Sequence, residues 1–290
     1  MFEQASCWID GKIVPAAQAS VSVFDHGFLY GDGVFEGVRF YHRKAFRLPL
    51  HFKRLRRSAA ALQLRIPLSF VELDTAVAET IAASPLDEGY LRIIVTRGVG
   101  VLGINPASCP RPGVIVIADQ LQMVSEAQRS QGVRAIIAST RRLRPDQLDS
   151  RIKSLNYLNA ILARIEANVA GVEEAILLND RGAVAEGTAD NLFIVSDGVL
   201  LTPPATEGAL AGITRQTVLE LAAGAGIAAR EALLTPYDLY NAEECFLTGT
   251  GAKLIPVREI DGRKIAACPG PVYRHLSQAF ADLVRRETGG

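Results

Sequence analysis

The stretch Arg151-Ile152-Lys153-Ser154-Leu155-Asn156-Tyr157-Leu158-Asn159 stands directly before an apolar run of helical period. Leu155, Leu158, Leu162, Ile165 and Val169 recur three and four residues apart, so 155–170 reads as a helix with one apolar stripe. Lys153 then lies at the start of that helix. A cation there opposes the helix dipole, and Arg151 adds a like charge, so the setting favours a neutral, nucleophilic amine. The plainer reading of the same residue is a solvated lysine. Only six of the 31 basic residues are lysines (Lys12, Lys44, Lys53, Lys153, Lys253 and Lys264), so amine chemistry has few candidates.

Toward the C-terminus, 174–178, 183–185 and 191–195 read as strands, with Asn179-Asp180-Arg181-Gly182 as the first turn. Glu186 closes the second strand and Gly187 follows, where a glycine permits close backbone approach. A carboxylate placed there can hold a proton on a ring nitrogen; a simple strand-end turn is the plainer reading. Leu210-Ala211-Gly212-Ile213-Thr214-Arg215 opens an amphipathic helix over 213–225, and its free amides and hydroxyl suit an anion as well as an ordinary cap. Phe246-Leu247-Thr248-Gly249-Thr250-Gly251-Ala252 runs from a strand (245–248) into a turn rich in glycine and hydroxyls, suited to phosphate or carboxylate. A helix over 271–286 closes the chain.

Toward the N-terminus, 7–9 and 12–14 form a hairpin about Asp10-Gly11, and the alternation Val21-Ser22-Val23-Phe24 predicts a half-buried strand. A helix spans 49–66, ended by Pro67, with Arg54, Arg56 and Arg57 on one turn, one of which can grip a phosphate bidentately. A second helix spans 69–83, with Ser69 and Glu72 as a capping box. Strands follow at 90–96, 114–118 and 133–138. The polar stretch 119–131, with Gln120, Gln122, Ser125, Glu126, Gln128, Arg129, Ser130 and Gln131, reads as a connection between domains. Strands and helices mix without strict alternation, which predicts an α+β chain. The expected division is a small N-terminal domain over 1–119, a connection over 120–131 and a large domain over 132–290.

Lys+Arg and Asp+Glu are both 31, so no basic excess exists to grip nucleic acid or an anionic membrane. The four cysteines are scattered and read as free thiols in a reducing compartment. Met1-Phe2-Glu3-Gln4 lacks the features of a signal peptide, and apolar runs such as 114–118 are strand length, so a soluble cytoplasmic protein is expected. His26, His42, His51 and His275 show no metal spacing, and His26 and His51 read as structural. No P-loop, dinucleotide fingerprint, HExxH or GxSxG is present.

Asp25-His26-Gly27-Phe28-Leu29-Tyr30-Gly31-Asp32-Gly33-Val34-Phe35-Glu36-Gly37, residues 51–58, 153–159, 186–193, 212–215 and 248–252 occur together in one order. That ordered set resembles the class IV pyridoxal-phosphate aminotransferases, the fold-type IV enzymes, and within them is most similar to the branched-chain-amino-acid aminotransferases. The resemblance implies a small N-terminal α/β domain and a larger C-terminal domain with a barrel-like sheet. It implies pyridoxal 5'-phosphate as cofactor, no metal, and at least a homodimer, with the loop 100–106 reaching the partner's site. Lys153 would hold the cofactor covalently and then shuttle a proton. Glu186 would pair with the pyridine nitrogen and Tyr157 with the phenolic oxygen. Arg56, the amides of Ile213 and Thr214, and Thr250 would hold the phosphate. Tyr30, Phe35 and Tyr90 would wall in an aliphatic side chain, Arg92 in Tyr90-Leu91-Arg92 would receive glutamate's distal carboxylate, and Gly251 and Ala252 the α-carboxylate.

The implied reaction moves an amino group between a branched-chain or other aliphatic L-amino acid and 2-oxoglutarate, with ping-pong kinetics. The alternatives that keep the cofactor and the lysine are a D-amino-acid or (R)-amine transaminase and an aminodeoxychorismate lyase. A non-catalytic binding module would leave Lys153 and Glu186 without a joint purpose. Two departures stand out. The turn reads Gly249-Thr250-Gly251-Ala252-Lys253 where close relatives often have Thr-Ala-Ala-Glu, which puts substrate choice in question. Thr96-Arg97-Gly98-Val99-Gly100 lacks the Arg-x-His carboxylate trap of the D-specific enzymes.

Overall fold

A computed structural model describes residues 4–121 and 124–289; Gln122, from the polar connection, lies outside them. The chain forms two compact units, one of Met1–Leu121, Ile152–Asn156 and Val284–Gly290, the other of Gln122–Arg151 and Tyr157–Leu283. The sequence places everything from 132 onward in the second. The structure instead builds the segment carrying Lys153 into the first.

In the first unit the alternation of apolar residues does its expected work. Strands β1 (Ser6–Ile9) and β2 (Lys12–Pro15) form the hairpin, α1 (His26–Tyr30) leads into β3 (Gly33–Tyr41), and β4 (Lys44–Ala45) turns back on it. Helices α2 (Leu48–Ala61) and α3 (Phe70–Ala83) precede β5 (Gly89–Thr96) and β6 (Gly113–Asp119). The sheet order is β2-β1-β6-β5-β3-β4, antiparallel throughout. One face sends Trp8, Val34, Val38, Leu91, Ile93 and Val116 into a core with Phe52, Leu55, Leu73 and Val77 of the two helices. Period-two alternation puts Phe35, Gly37, Arg39, Tyr90 and Arg92 on the other face.

Two expectations fail here for local reasons. Residues 21–24 are not a strand: Val21, Val23 and Phe24 are exposed, and Ser22 turns the chain through bonds from Phe24 N to its Oγ (3.2 Å) and Asp25 N to its carbonyl (3.0 Å). Alternation alone cannot make a strand without an edge to pair with. Helix α2 stops at Ala61, well before Pro67, because Leu64 N turns back to Ala59 O (2.9 Å) and Arg97 donates to the Leu62 and Gln63 carbonyls. Helix α3 starts as read, with both arms of the Ser69–Glu72 capping box formed.

The second unit holds α4 (Glu126–Gln131), β7 (Val133–Ile137), α5 (Leu158–Val169), β8 (Glu174–Leu178), β9 (Val184–Gly187), β10 (Asn191–Ser196) and β11 (Val199–Thr202). There follow α6 (Ile213–Gly224), β12 (Ala229–Glu231), α7 (Pro236–Tyr240), β13 (Glu244–Gly249), β14 (Lys253–Ile260), β15 (Arg263–Lys264) and α8 (Pro271–Thr288), whose last residues count with the first unit. The sheet order is β12-β11-β10-β13-β14-β7-β8-β9, with β15 on β14. Strands β9 and β10 are five places apart in that order, about 24 Å if the sheet were flat. The link 188–190 reaches at most about 14 Å. The sheet therefore curls into a partial barrel, which Gly187 N seals by donating to Asp190 O (2.7 Å). This is the mixed α+β class that the residues predict, with the barrel-like sheet that the resemblance implies.

Helix α5 begins at Leu158, not at 155, and its period is right but its face is not. Ala160, Ala163 and Ala167 face inward against Ala138, Ala175 and Leu177, while Leu158, Leu162, Ile165 and Val169 are exposed, Val169 at 85%. Small residues let the helix lie close to β8, and the large ones are left outside. Among the described residues no helix is long and apolar enough to cross a membrane.

Candidate active site

Lys153 is held by an edge bridge rather than by a helix. Phe35 N donates to Lys153 O (2.9 Å) and Leu155 N to Gly33 O (3.0 Å), so Ser154 pairs with Val34 at the start of β3. Lys153 N donates to Ser58 Oγ of α2 (3.0 Å). The lysine thus precedes α5 by more than a turn along the chain and does not stand at the helix start, where the sequence reading places it. Its Nζ lies 4.5 Å from the Phe35 ring centroid, and the Arg92 guanidinium lies 4.2 Å from the same centroid. Arg92 and Arg39 both approach Tyr90, at 6.0 and 5.9 Å. Gly37 is required beneath this group, since a Cβ there would fall 1.8 Å from the Tyr90 hydroxyl. The structure therefore brings Lys153, Phe35, Tyr90 and Arg92 together.

Tyr30 does not join that group. Its hydroxyl accepts from Gly103 N (2.8 Å) and its ring meets His26 edge-on, so it belongs with the loop 100–106. His26 is buried and structural, with Nε2 2.9 Å from Val101 O. Arg97 is bound by Asp32 at 2.8 and 3.0 Å.

The arginines of α2 divide by helical phase. Arg56 is exposed and its guanidinium lies 4.4 Å from the Phe70 centroid, far around the helix from Ser58 and Lys153 N. That position corrects the expectation that Arg56 is the phosphate arginine. Arg54 is buried on the face shared with His51 and Ser58. Its Nε and Nη2 donate to the two oxygens of Glu36 at 2.7 and 2.9 Å, and His51 Nδ1 lies 2.7 Å from Oε2. Burial pushes the Glu36 carboxyl up, but Arg54 and His51 outweigh it and hold it well below the usual carboxylate range. Burial pushes the His51 imidazole down, against the pull of Glu36.

In the second unit Glu186 is the penultimate residue of β9, buried, near the strand end where the sequence places it. Oε2 accepts from Leu210 N (2.9 Å) and Asn191 Nδ2 (3.2 Å), and Oε1 from Arg142. A carboxylate offers about four acceptor sites, so one more N–H can be received. Ile213 and Thr214 are the first residues of α6, whose N-cap Gly212 has no capping side chain; a Cβ there would fall 1.9 Å from Asn191 Oδ1. Gly249 is equally constrained, 1.9 Å from Asp190 Oδ1. The turn between β13 and β14 presents Thr250, half-buried, with Gly251 and Ala252 buried; Arg129 holds Ala252 O (2.9 Å). Lys253 opens β14 with φ +63°. Tyr157, half-buried, is the N-cap residue of α5.

These residues fit pyridoxal phosphate on an observation of their own. Thr248 Oγ1 is buried with no partner among the described residues, and Thr248 pairs with Asn191 across β13 and β10, so both side chains share one face. An orphan hydroxyl, a carboxylate with a site to spare and a helix N-terminus without a side-chain cap suit a group carrying a ring nitrogen and a phosphate. Sequence reading missed Arg142, Asn191 and the Glu36–His51 pair. Arg141-Arg142 a few residues after β7, and a glutamate within the otherwise apolar start of β3, were the signals, and neither names its partner.

The family model for amino-transferase class IV matches residues 33–260. The chain is 49% identical over 277 residues to a Methanocaldococcus jannaschii protein provisionally named a branched-chain-amino-acid aminotransferase, covering 95% of each chain. It is similar to the Escherichia coli branched-chain amino acid aminotransferase structure, with a TM-score of 0.93 and 36% identity, over 96% of this chain and 94% of that one. It is similar as well to the structure of the branched-chain aminotransferase from the thermophilic archaeon Thermoproteus uzoniensis with norvaline, at TM-score 0.90 and 36% identity, covering 96% and 94%.

Proposed function

The chain belongs to the class IV amino-transferase family, and from that premise we propose that it moves the amino group between a branched-chain or other aliphatic L-amino acid and 2-oxoglutarate. One observation carries the substrate reading. The Phe35 ring lies within 4.5 Å of Lys153 Nζ and 4.2 Å of the Arg92 guanidinium, so an amine, an apolar wall and a cation meet in one place. An aliphatic side chain needs the wall, and the distal carboxylate of glutamate needs the cation. The names of the similar proteins support the same class of donor.

Pyridoxal 5'-phosphate, when bound, supplies the aldehyde that takes up the amine and a ring that withdraws electrons from the substrate Cα. Lys153 holds it covalently, and its freed amine carries the proton taken from Cα. Glu186, steadied by Leu210 N, Asn191 and Arg142, holds a proton at the pyridine nitrogen. Tyr157 hydrogen-bonds the phenolic oxygen. The amides of Ile213 and Thr214, the Thr250 hydroxyl and the Arg54 guanidinium, in place of Arg56, bind the phosphate. Tyr90 extends the wall, and Gly251 and Ala252 amides receive the α-carboxylate. Amino donor and acceptor use the site in turn, so kinetics are ping-pong. The exposed apolar loop of Val99, Val101, Leu102 and Ile104 supports a homodimer, with Tyr30 and this loop lining the partner's site. Four unpaired cysteines support a cytoplasmic setting.

Arg92→Ala tests the reading. The specificity constant for L-glutamate should fall at least about tenfold while that for L-leucine changes by less than about threefold, the loss of one charge-assisted pair. Equal losses for both substrates would overturn the role of Arg92. D-alanine or an (R)-amine outpacing L-leucine would overturn the L-specific reading.

A further inference from the structure

We propose that Glu36, with His51 behind it, is a positioning residue for the phosphate end of the cofactor site, fixing the plane of the Arg54 guanidinium without itself touching phosphate. This rests on Arg54 being the phosphate arginine.

Glu36 is completely buried and stands on β3, next to Phe35. It takes the side-on edge of the guanidinium, Nε on Oε1 and Nη2 on Oε2 at 2.7 and 2.9 Å. A guanidinium is planar, so two bonds on one edge set the direction of the remaining N–H groups. Oε2 also meets His51 Nδ1 at 2.7 Å and Gly37 N at 3.2 Å, so the carboxylate is itself pinned by a helix and a strand. Ser58, one helical turn beyond Arg54, receives Lys153 N at 3.0 Å. One face of α2 thereby anchors both the arginine and the backbone of the lysine.

Stability alone is a poor reason for this arrangement, because a buried ion pair barely repays the desolvation of its charges. Charge alone argues against it. A carboxylate on Arg54 cancels its pull on an anion, so a mere neutraliser would weaken phosphate binding. Orientation is what the carboxylate adds: the long side chain is ordered when the protein folds, and none of its freedom is left to lose when phosphate arrives.

The two views give opposite signs. Cofactor-depleted protein and its variants are titrated with pyridoxal 5'-phosphate and, separately, with pyridoxal, following the absorbance of the bound chromophore. Glu36→Gln should weaken pyridoxal 5'-phosphate by at least about tenfold and change pyridoxal by less than about twofold, because only the phosphate reaches Arg54. The double variant Glu36→Gln/Arg54→Lys should bind pyridoxal 5'-phosphate no more weakly than Arg54→Lys alone. Tighter or unchanged binding in Glu36→Gln, equal losses for both ligands, or additive losses in the double variant would overturn the proposal. His51→Asn keeps the Arg54–Glu36 pair and serves if Glu36→Gln does not fold. It should weaken pyridoxal 5'-phosphate about threefold and leave pyridoxal unchanged, and an equal effect on both would overturn the proposal. If Arg54→Lys itself binds pyridoxal 5'-phosphate normally, the phosphate assignment of Arg54 falls and this proposal falls with it. Failure in the Glu36 and His51 variants alone leaves that assignment standing.

Discussion

Arg54 and Arg56 are two positions apart on α2, which is about 200° around a helix. One is buried on Glu36 and the other lies on the exposed Phe70 ring. A run of three arginines in four positions states that a cation is present on that turn. Which of them faces inward depends on the sheet the helix packs against. Arg56→Ala should therefore leave cofactor affinity within about twofold and cost about 0.5–1 kcal/mol of stability from the lost contact with the ring. A titration with pyridoxal 5'-phosphate and a urea melt check both, and a large loss of affinity would return the phosphate to Arg56. Gly37 shows the same dependence on tertiary packing. A Cβ at Gly37 would fall 1.8 Å from the Tyr90 hydroxyl, so Gly37→Ala must displace Tyr90. The KM for L-leucine should rise by about tenfold, as expected for a substrate wall moved by a fraction of its width. An unchanged KM would remove Tyr90 from the substrate site.

Secondary elements were legible where a local mechanism completes them. The capping box of α3 and the hairpin about Asp10-Gly11 need only neighbouring residues, and both stand where read. Residues 21–24 needed a partner strand and found none. Helix α5 has the right period, yet its alanines face in and its larger residues face out, because clearance over β8 decides the face. Glu166 on α5 ties that helix to the end of β7. It accepts from the amides and hydroxyls of Ser139 and Thr140 at 2.5–2.9 Å. Burial works to raise its carboxyl, but those bonds prevail and hold it at about 2. A depressed folded pKa contributes stability above the unfolded value and loses it as pH falls toward the folded one. Glu166→Gln should thus lose about 1 kcal/mol at pH 7, a figure reduced for partial exposure, and the difference should vanish as pH falls from 4.5 to about 2. Denaturation of both proteins across that range measures it, and a constant difference would deny the charge a role.

At the scale of the whole molecule, the loop carrying Val101, Leu102 and Ile104 leaves large apolar groups exposed, Ile104 at 84%. In the proposed homodimer this loop would be part of the interface. Leu102→Asp/Ile104→Asp should shift the protein toward monomer in sedimentation at micromolar concentration and lower activity, and a dimer undisturbed would place the interface elsewhere. By itself, the sequence determined the α+β class and the ordered motif set on which the family resemblance rests. Each of these depends on residue type and on neighbours close along the chain. Only the tertiary structure decided that Lys153 is held by an edge bridge to β3, that Arg54 and not Arg56 faces inward, and that Glu36, His51 and Arg142 hold the charged groups. Those outcomes depend on which distant segments the folded sheets bring within hydrogen-bond reach, and spacing along a chain carries no such distance.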